Sequence, residues 1–265
     1  ISTIRQSHLP ERTSRLHMKA LRMRSHNLTA QAHHVAWLAA DWVFPPVCAI
    51  CGSPGFRLCP QCRANIKPIN HPTACPRCDL PGYAVRPCPD CAKNPLQLDG
   101  LRAFAPYEEA IKAAIHSYKF KRNLGLAEQF AEWLYLTIKE TQWQFDWITA
   151  VPLGQQRSHD RGYNQSAYLA RLLAWKCDRP YFSDLSERSR ETRSQASLTA
   201  EERLTNVSDA FCPGNRSCAG RSVLIIDDIA TTGATLNACA AALYQNGAEK
   251  VYGLTLARAV HYTQS

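Results

Sequence analysis

Four aliphatic residues in a row, Val223, Leu224, Ile225 and Ile226, are followed at once by the carboxylates Asp227 and Asp228. After Ile229 the chain uses only Ala, Thr and Gly up to Thr235. A continuous β-favouring apolar run suits a parallel strand covered on both faces, and the acidic pair is expected to end it. Thr235 to Asn246 is rich in Ala and Leu and is followed by Gly247, which reads as a helix with its terminating residue. The whole is therefore strand, tight loop and helix start. Ligands of open α/β sheets bind at the carboxyl ends of strands, and helix N-termini attract phosphate. Thr231, Thr232, Gly233, Ala234 and Thr235 suit such a phosphate, since Gly233 permits close backbone approach and the three hydroxyls add donors. Two adjacent carboxylates can accept hydrogen bonds from vicinal hydroxyls, so a sugar phosphate with two free hydroxyls fits. A lone pair of aspartates more often caps a helix; the buried run before it and the Gly/Thr loop after it favour the ligand.

The stretch 223–235 resembles the phosphoribosyl pyrophosphate (PRPP) motif of type I phosphoribosyltransferases. The resemblance implies that Asp227 and Asp228 are the catalytic acids holding the ribose hydroxyls, and that Thr231 to Thr235 cradle the 5′-phosphate. Ala230 stands where that family often has a larger residue.

Upstream, elements alternate. Helical spacing is expected over Tyr107 to Lys119 and Leu124 to Thr141, a short strand over Trp147 to Val151, and a helix over Asn164 to Lys176; a last strand is expected over Val251 to Ala257. A parallel sheet with helices on both sides follows. Residues 152–165 leave a strand end, so Arg157 and Arg161 are placed to bind a diphosphate with their planar forks. On their own they would be ordinary surface arginines. The polar stretch 188–206 reads as a mobile lid or as a plain connector.

The twelve cysteines are unevenly spread, eight of them in four CxxC pairs: Cys48/Cys51, Cys59/Cys62, Cys75/Cys78 and Cys88/Cys91, separated by seven, twelve and nine residues. A CxxC turn aims two thiolates at one ion, and two turns complete a tetrahedral site. Pairing neighbours gives one zinc on Cys48, Cys51, Cys59 and Cys62, and a second on Cys75, Cys78, Cys88 and Cys91; an interleaved pairing meets the spacing as well. No apolar run approaches ~20 residues, so no membrane span is expected. Without a signal-peptide core in the first thirty residues, the cytosol is the expected compartment, where clustered cysteines mean metal more often than disulfides.

The net charge is +9: residues 1–30 supply +5, residues 48–95 +4 and residues 96–265 only +1, and Asp41 takes one away. Eight thiolates and two Zn²⁺ cancel the ribbon's excess, so the loaded ribbon does not advertise nucleic acid by charge. The expected layout is 1–45 as a tail that could hold a short helix, 46–95 as a double zinc ribbon, and 96–265 as the phosphoribosyltransferase-like domain.

RGYNQ (161–165), the spacing of Arg190, Thr192, Gln195, Leu198, Arg203 and Asn206, and the DDIATTGAT loop together resemble the ComF/GntX family. The likeness runs from about Pro46 to Arg258. It implies an α/β fold of the type I phosphoribosyltransferase class, a parallel sheet with flanking helices, behind a small double zinc ribbon. It also implies PRPP with Mg²⁺, structural zinc, a lid carrying Arg190, Gln195 and Arg203, an unassigned acceptor and a link to DNA uptake. Single-stranded DNA is a further expected partner, through Arg188, Arg190, Arg193 and the basic KFKR at 119–122. The alternative is a non-catalytic PRPP-sensing or DNA-handling module on the same fold. Gly154 stands where the family commonly has His or Trp.

Overall fold

The structure, a computed structural model, describes residues 45–121, 123–154, 163–189 and 210–260. The expected tail up to residue 44, Arg157 and Arg161, and the lid residues Arg190, Arg193, Gln195 and Arg203 lie outside the described residues. From Val47 on, the described chain belongs to one compact unit.

Both halves of the cysteine segment are built alike. The first CxxC pair of each half is a tight turn: Gly52 N–H donates to Cys48 O and Asp79 N–H to Cys75 O, each at 2.9 Å. Gly52 and Asp79 close these turns in the left-handed region, at φ 77° and 62°. The second pair instead starts a short helix, α1 (Pro60–Ala64) or α2 (Pro89–Lys93), capped by Cys59 or Cys88 with proline as its first residue.

The larger part follows as β1 (Gly100–Pro106), α3 (Glu109–Phe120), α4 (Leu126–Lys139), β2 (Trp147–Ala150), α5 (Gln165–Lys176), β3 (Ser186–Arg188), β4 (Phe211–Pro213), β5 (Ser222–Ala230), α6 (Ala234–Gln245) and β6 (Lys250–Arg258). Among the described residues the main sheet runs β1–β6–β5–β2, all parallel, and β3 and β4 form a separate antiparallel pair. Alternate residues of β5 face opposite layers, which is why its apolar run has no polar breaks. Leu224 and Ile226 join Phe130, Leu169 and Leu254 under α3, α4 and α5. Val223 and Ile225 join Leu236, Leu243 and Val251 under α6.

The ladder does not stop at the acidic pair, as the sequence had suggested. β5 pairs with β6 through Asp227 opposite Thr255 to Ala230 opposite Arg258. Ala259 N–H then donates to Ala230 O at 2.9 Å, so the neighbouring strand holds β5 extended past its apolar run.

The edge of the sheet at β1 is covered by the second ribbon, which answers its outward N–H groups. Leu101 N–H donates to Arg77 O at 3.2 Å. Ala103 N–H donates to Asp79 Oδ2 at 2.8 Å. Asp79 is fully buried, and its other oxygen lies 2.9 Å from His71 Nδ1 and 3.7 Å from the Arg102 guanidinium. No helix among the described residues is long and apolar enough to cross a membrane.

Candidate functional site

β5 and β6 are the central strands, so the carboxyl end of β5 lies mid-way along the edge where α/β sheets take ligands. Asp227 and Asp228 stand there. Asp227 Oδ1 accepts from Ser166 Oγ, in the first turn of α5, at 3.0 Å and from the Asp228 N–H at 2.9 Å. Loss of hydration and the adjacent Asp228 charge push the Asp227 carboxyl up to about 7, against the pull of Lys119. Lys119 Nζ, at the end of α3, lies 2.7 Å from Asp228 Oδ2.

The end of α3 and the start of α5 are locked together. Asn164 caps α5 by accepting from Ala167 N–H at 3.1 Å. Its Nδ2 donates to Val151 O, just past β2, at 3.0 Å. Tyr118 OH donates to Gln165 O at 2.9 Å, and Tyr163 OH to Tyr118 O at 3.2 Å. Ser166 and Lys119 are thereby held over the acids from two different helices.

Beyond β5 the chain turns through Thr231 and Thr232 to Gly233, which caps α6 at φ 82°. A Cβ there would lie 3.3 Å from Leu96 Cδ2, in a conformation that L side chains rarely adopt. Thr232 Oγ1 accepts from Ala234 N–H at 3.2 Å. The loop thus offers hydroxyls and the first amides of α6, the arrangement that accepts a phosphate.

The eight paired cysteines form two clusters, Cys48/Cys51/Cys59/Cys62 and Cys75/Cys78/Cys88/Cys91, with the sulfurs of each within 4.8 Å of one another. A tetrahedral site with Zn–S near 2.3 Å has S···S edges of about 3.8 Å. The Cys51–Cys59 and Cys78–Cys88 sulfur separations are 3.7 and 3.6 Å, so the donor sets fit the ion. Backbone N–H groups also point at sulfur, Cys59 at Cys48 Sγ (3.4 Å) and Cys88 at Cys75 Sγ (3.3 Å). The clusters differ in setting. Cys51 is exposed, whereas all four sulfurs of the second cluster are buried in the core layer under α6. Within it, the bond from Cys91, working against burial and joined by the Arg258 charge, holds Cys78 down to about 4.

Of the residues singled out from sequence, the structure brings the acidic pair and residues 231–235 together at one strand end and groups the cysteines by neighbours. Lys119, expected in a basic stretch facing DNA, instead faces Asp228. Ser166 and Arg258 carried no local signal; they reach the site across 61 residues and, for the bond from Arg258 to Cys78, 180 residues.

A double zinc ribbon domain matches residues 39–92, and a phosphoribosyl transferase domain matches residues 162–264. The DNA utilization protein YhgH of Escherichia coli is 32% identical over 224 residues, which cover 81% of this chain and 97% of that protein. Competence protein F of Haemophilus influenzae is 30% identical over 211 residues, 76% of this chain and 90% of that one. Competence protein ComFC of Bacillus subtilis is 30% identical over 213 residues, 77% and 85% respectively.

Proposed function

Because this chain belongs to the family of the DNA utilization protein YhgH and the competence proteins F and ComFC, a double zinc ribbon joined to a phosphoribosyltransferase domain, we propose that it binds PRPP with Mg²⁺ and transfers the phosphoribosyl group to an acceptor in the handling of external DNA. The observation that carries this is the acidic pair at the end of a central strand, leading without a break into the left-handed Gly233 and the amino end of α6.

Asp227 and Asp228 accept hydrogen bonds from the 2′- and 3′-hydroxyls, and the 231–235 loop takes the 5′-phosphate. The hard carboxylate oxygens suit Mg²⁺, and the Lys119 ammonium already holds a positive charge at Asp228 Oδ2. When bound, the ion supplies charge neutralisation to the diphosphate. Arg157 and Arg161 bind that diphosphate as it departs with the electron pair of the C1′–O bond. Positive charge then develops on the ribose, and the anionic pair beneath it lowers the cost. The lid residues Arg190, Gln195 and Arg203 close over the site and exclude water until the acceptor attacks C1′. Zinc in the ribbon is structural. The cytosol is the setting in which PRPP and reduced thiolates coexist.

Diphosphate release from PRPP tests this reading, with bases, amines and single-stranded DNA offered as acceptors. Release that depends on one acceptor class supports transfer. Mg²⁺-dependent binding with no release under any acceptor makes the chain a PRPP-sensing module on the same fold.

A further inference from the structure

Arg258, the last residue of β6, is 3% exposed. A buried guanidinium is costly unless an anion and hydrogen-bond acceptors meet it. Its acceptors here are unusual. Nε donates to Cys78 O at 3.0 Å and one terminal nitrogen to Cys78 Sγ at 3.4 Å. The other terminal nitrogen donates to Ala230 O at 3.2 Å and to Ala259 O at 3.4 Å. Among the described residues no carboxylate pairs with it; the anion facing it is the second cysteine cluster. Four thiolates around one Zn²⁺ carry a formal charge of −2, which a single buried cation partly offsets.

The same side chain therefore grips a metal ligand and the residue from which the ligand loop departs. Two further contacts run the same way. Leu96, five residues past Cys91, packs beside Gly233, and Gln97 N–H donates to Asn237 Oδ1 in the first turn of α6 at 2.6 Å. Among the described residues the first cluster has no such route: it packs with Ile50 and Leu58 on the opposite core layer, and Cys51 faces solvent beside Ser53.

We propose that Arg258 is a positioning residue that couples zinc in the second cluster to the order of the 231–235 loop, so that loading of that site sets the affinity of the loop for a phosphorylated sugar. Without the metal nothing clamps the four sulfurs together, Cys78 no longer fixes the guanidinium, and the Ala230 carbonyl loses one of its two donors. Coupling is reciprocal, so a bound sugar phosphate also tightens the second zinc. The ligand half of this inference rests on the reading of the loop as a phosphate cradle.

The test uses the full zinc-loaded chain, a chelator titration that counts zinc released, and hydrogen exchange at amides 231–235. In Arg258→Met one of the two zinc ions is expected to leave at about 10-fold or lower chelator demand, as for loss of other residues that hydrogen-bond a metal ligand. Its loop amides exchange faster even with zinc bound, and ribose 5-phosphate binds more weakly. Cys51→Ser is expected to lose one zinc while 231–235 exchange as in wild type. Wild-type zinc retention and wild-type loop exchange in Arg258→Met overturn the proposal, as does equal loosening of the loop in Cys51→Ser. If Arg258→Met does not fold, the Cys51→Ser protein decides alone: release of its remaining zinc either speeds exchange at 231–235 or refutes the coupling. The zinc and exchange measurements need no ligand. Failure of every form to bind ribose 5-phosphate or PRPP would therefore sink the site reading and leave the coupling to be decided separately.

Discussion

Replacing Lys119 by Met removes the ammonium from the acidic pair while keeping the length of the side chain. The ion pair is close, 2.7 Å, and both side chains are nearly shielded, 16% and 13% exposed. At an effective dielectric near 20, the gross attraction at that distance is about 6 kcal/mol. Most of it is offset by the desolvation of both ions. What remains is the cost of leaving one charge unpaired, about 3–5 kcal/mol for a fully buried pair. Residual exposure puts the expectation at the lower end, about 3 kcal/mol. For a unit of this size each kcal/mol shifts Tm by about 2–4 °C, so Lys119→Met should melt about 6–12 °C lower. The deficit depends on pH. The folded-state pKa of Asp227, about 7, lies above its unfolded value, so its contribution to stability is full in acid and lost as pH rises through about 7. Lys119 pulls that value down; without it the ionised pair is penalised further. The Tm deficit should be larger one unit above about 7 than one unit below, and millimolar Mg²⁺ should restore more stability to the variant than to wild type. Scanning calorimetry at the two pH values, with and without Mg²⁺, reads all three. A small deficit that is the same at both pH values and indifferent to Mg²⁺ would refute the charge balance assigned to the site.

Binding of Mg²⁺ and PRPP near neutral pH should release protons, because Asp227 must ionise to accept ribose hydroxyls; calorimetric heats that do not change between buffers of different ionisation enthalpy would contradict this. Gly233→Ala should cost about 1–2 kcal/mol from its left-handed backbone alone, plus the crowding of Leu96; an unchanged Tm would show that the loop adapts freely. Elemental analysis should find two zinc ions per chain, and Cys78→Ser should destabilise more than Cys51→Ser, because Cys78 lies inside the core that holds Leu236 and Val251; the reverse order in thermal melts would place the weight on the first cluster.

What the sequence made legible was what lies close along the chain. The apolar run, the acids and the Gly/Thr loop are one uninterrupted stretch, and each CxxC pair sits within a single turn. β1, rich in Ala and broken by Arg102, has little period of its own; it is a strand because β6 and the second ribbon pair with it on both sides. The β5 ladder runs through Asp227 and Asp228 for the same reason, a partner strand overriding a local stop signal. Lys119 read as one of a cluster of basic residues because nothing near it in sequence is acidic; its carboxylate comes from Asp228. Arg258 lies just past the strand expected over Val251 to Ala257, and its burial follows from a cysteine cluster far upstream in the chain.

The central claim is that the acidic pair and the loop behind it bind PRPP. Isothermal titration of PRPP into the zinc-loaded chain, with and without Mg²⁺, tests it most directly when wild type is compared with Asp228→Asn. Each lost hydrogen bond from a ribose hydroxyl to a charged acceptor is worth about 1.5–3 kcal/mol, so binding to wild type should require Mg²⁺ and weaken by about 10- to 100-fold in the variant. Equal affinity in both proteins, or binding indifferent to Mg²⁺, would contradict the account.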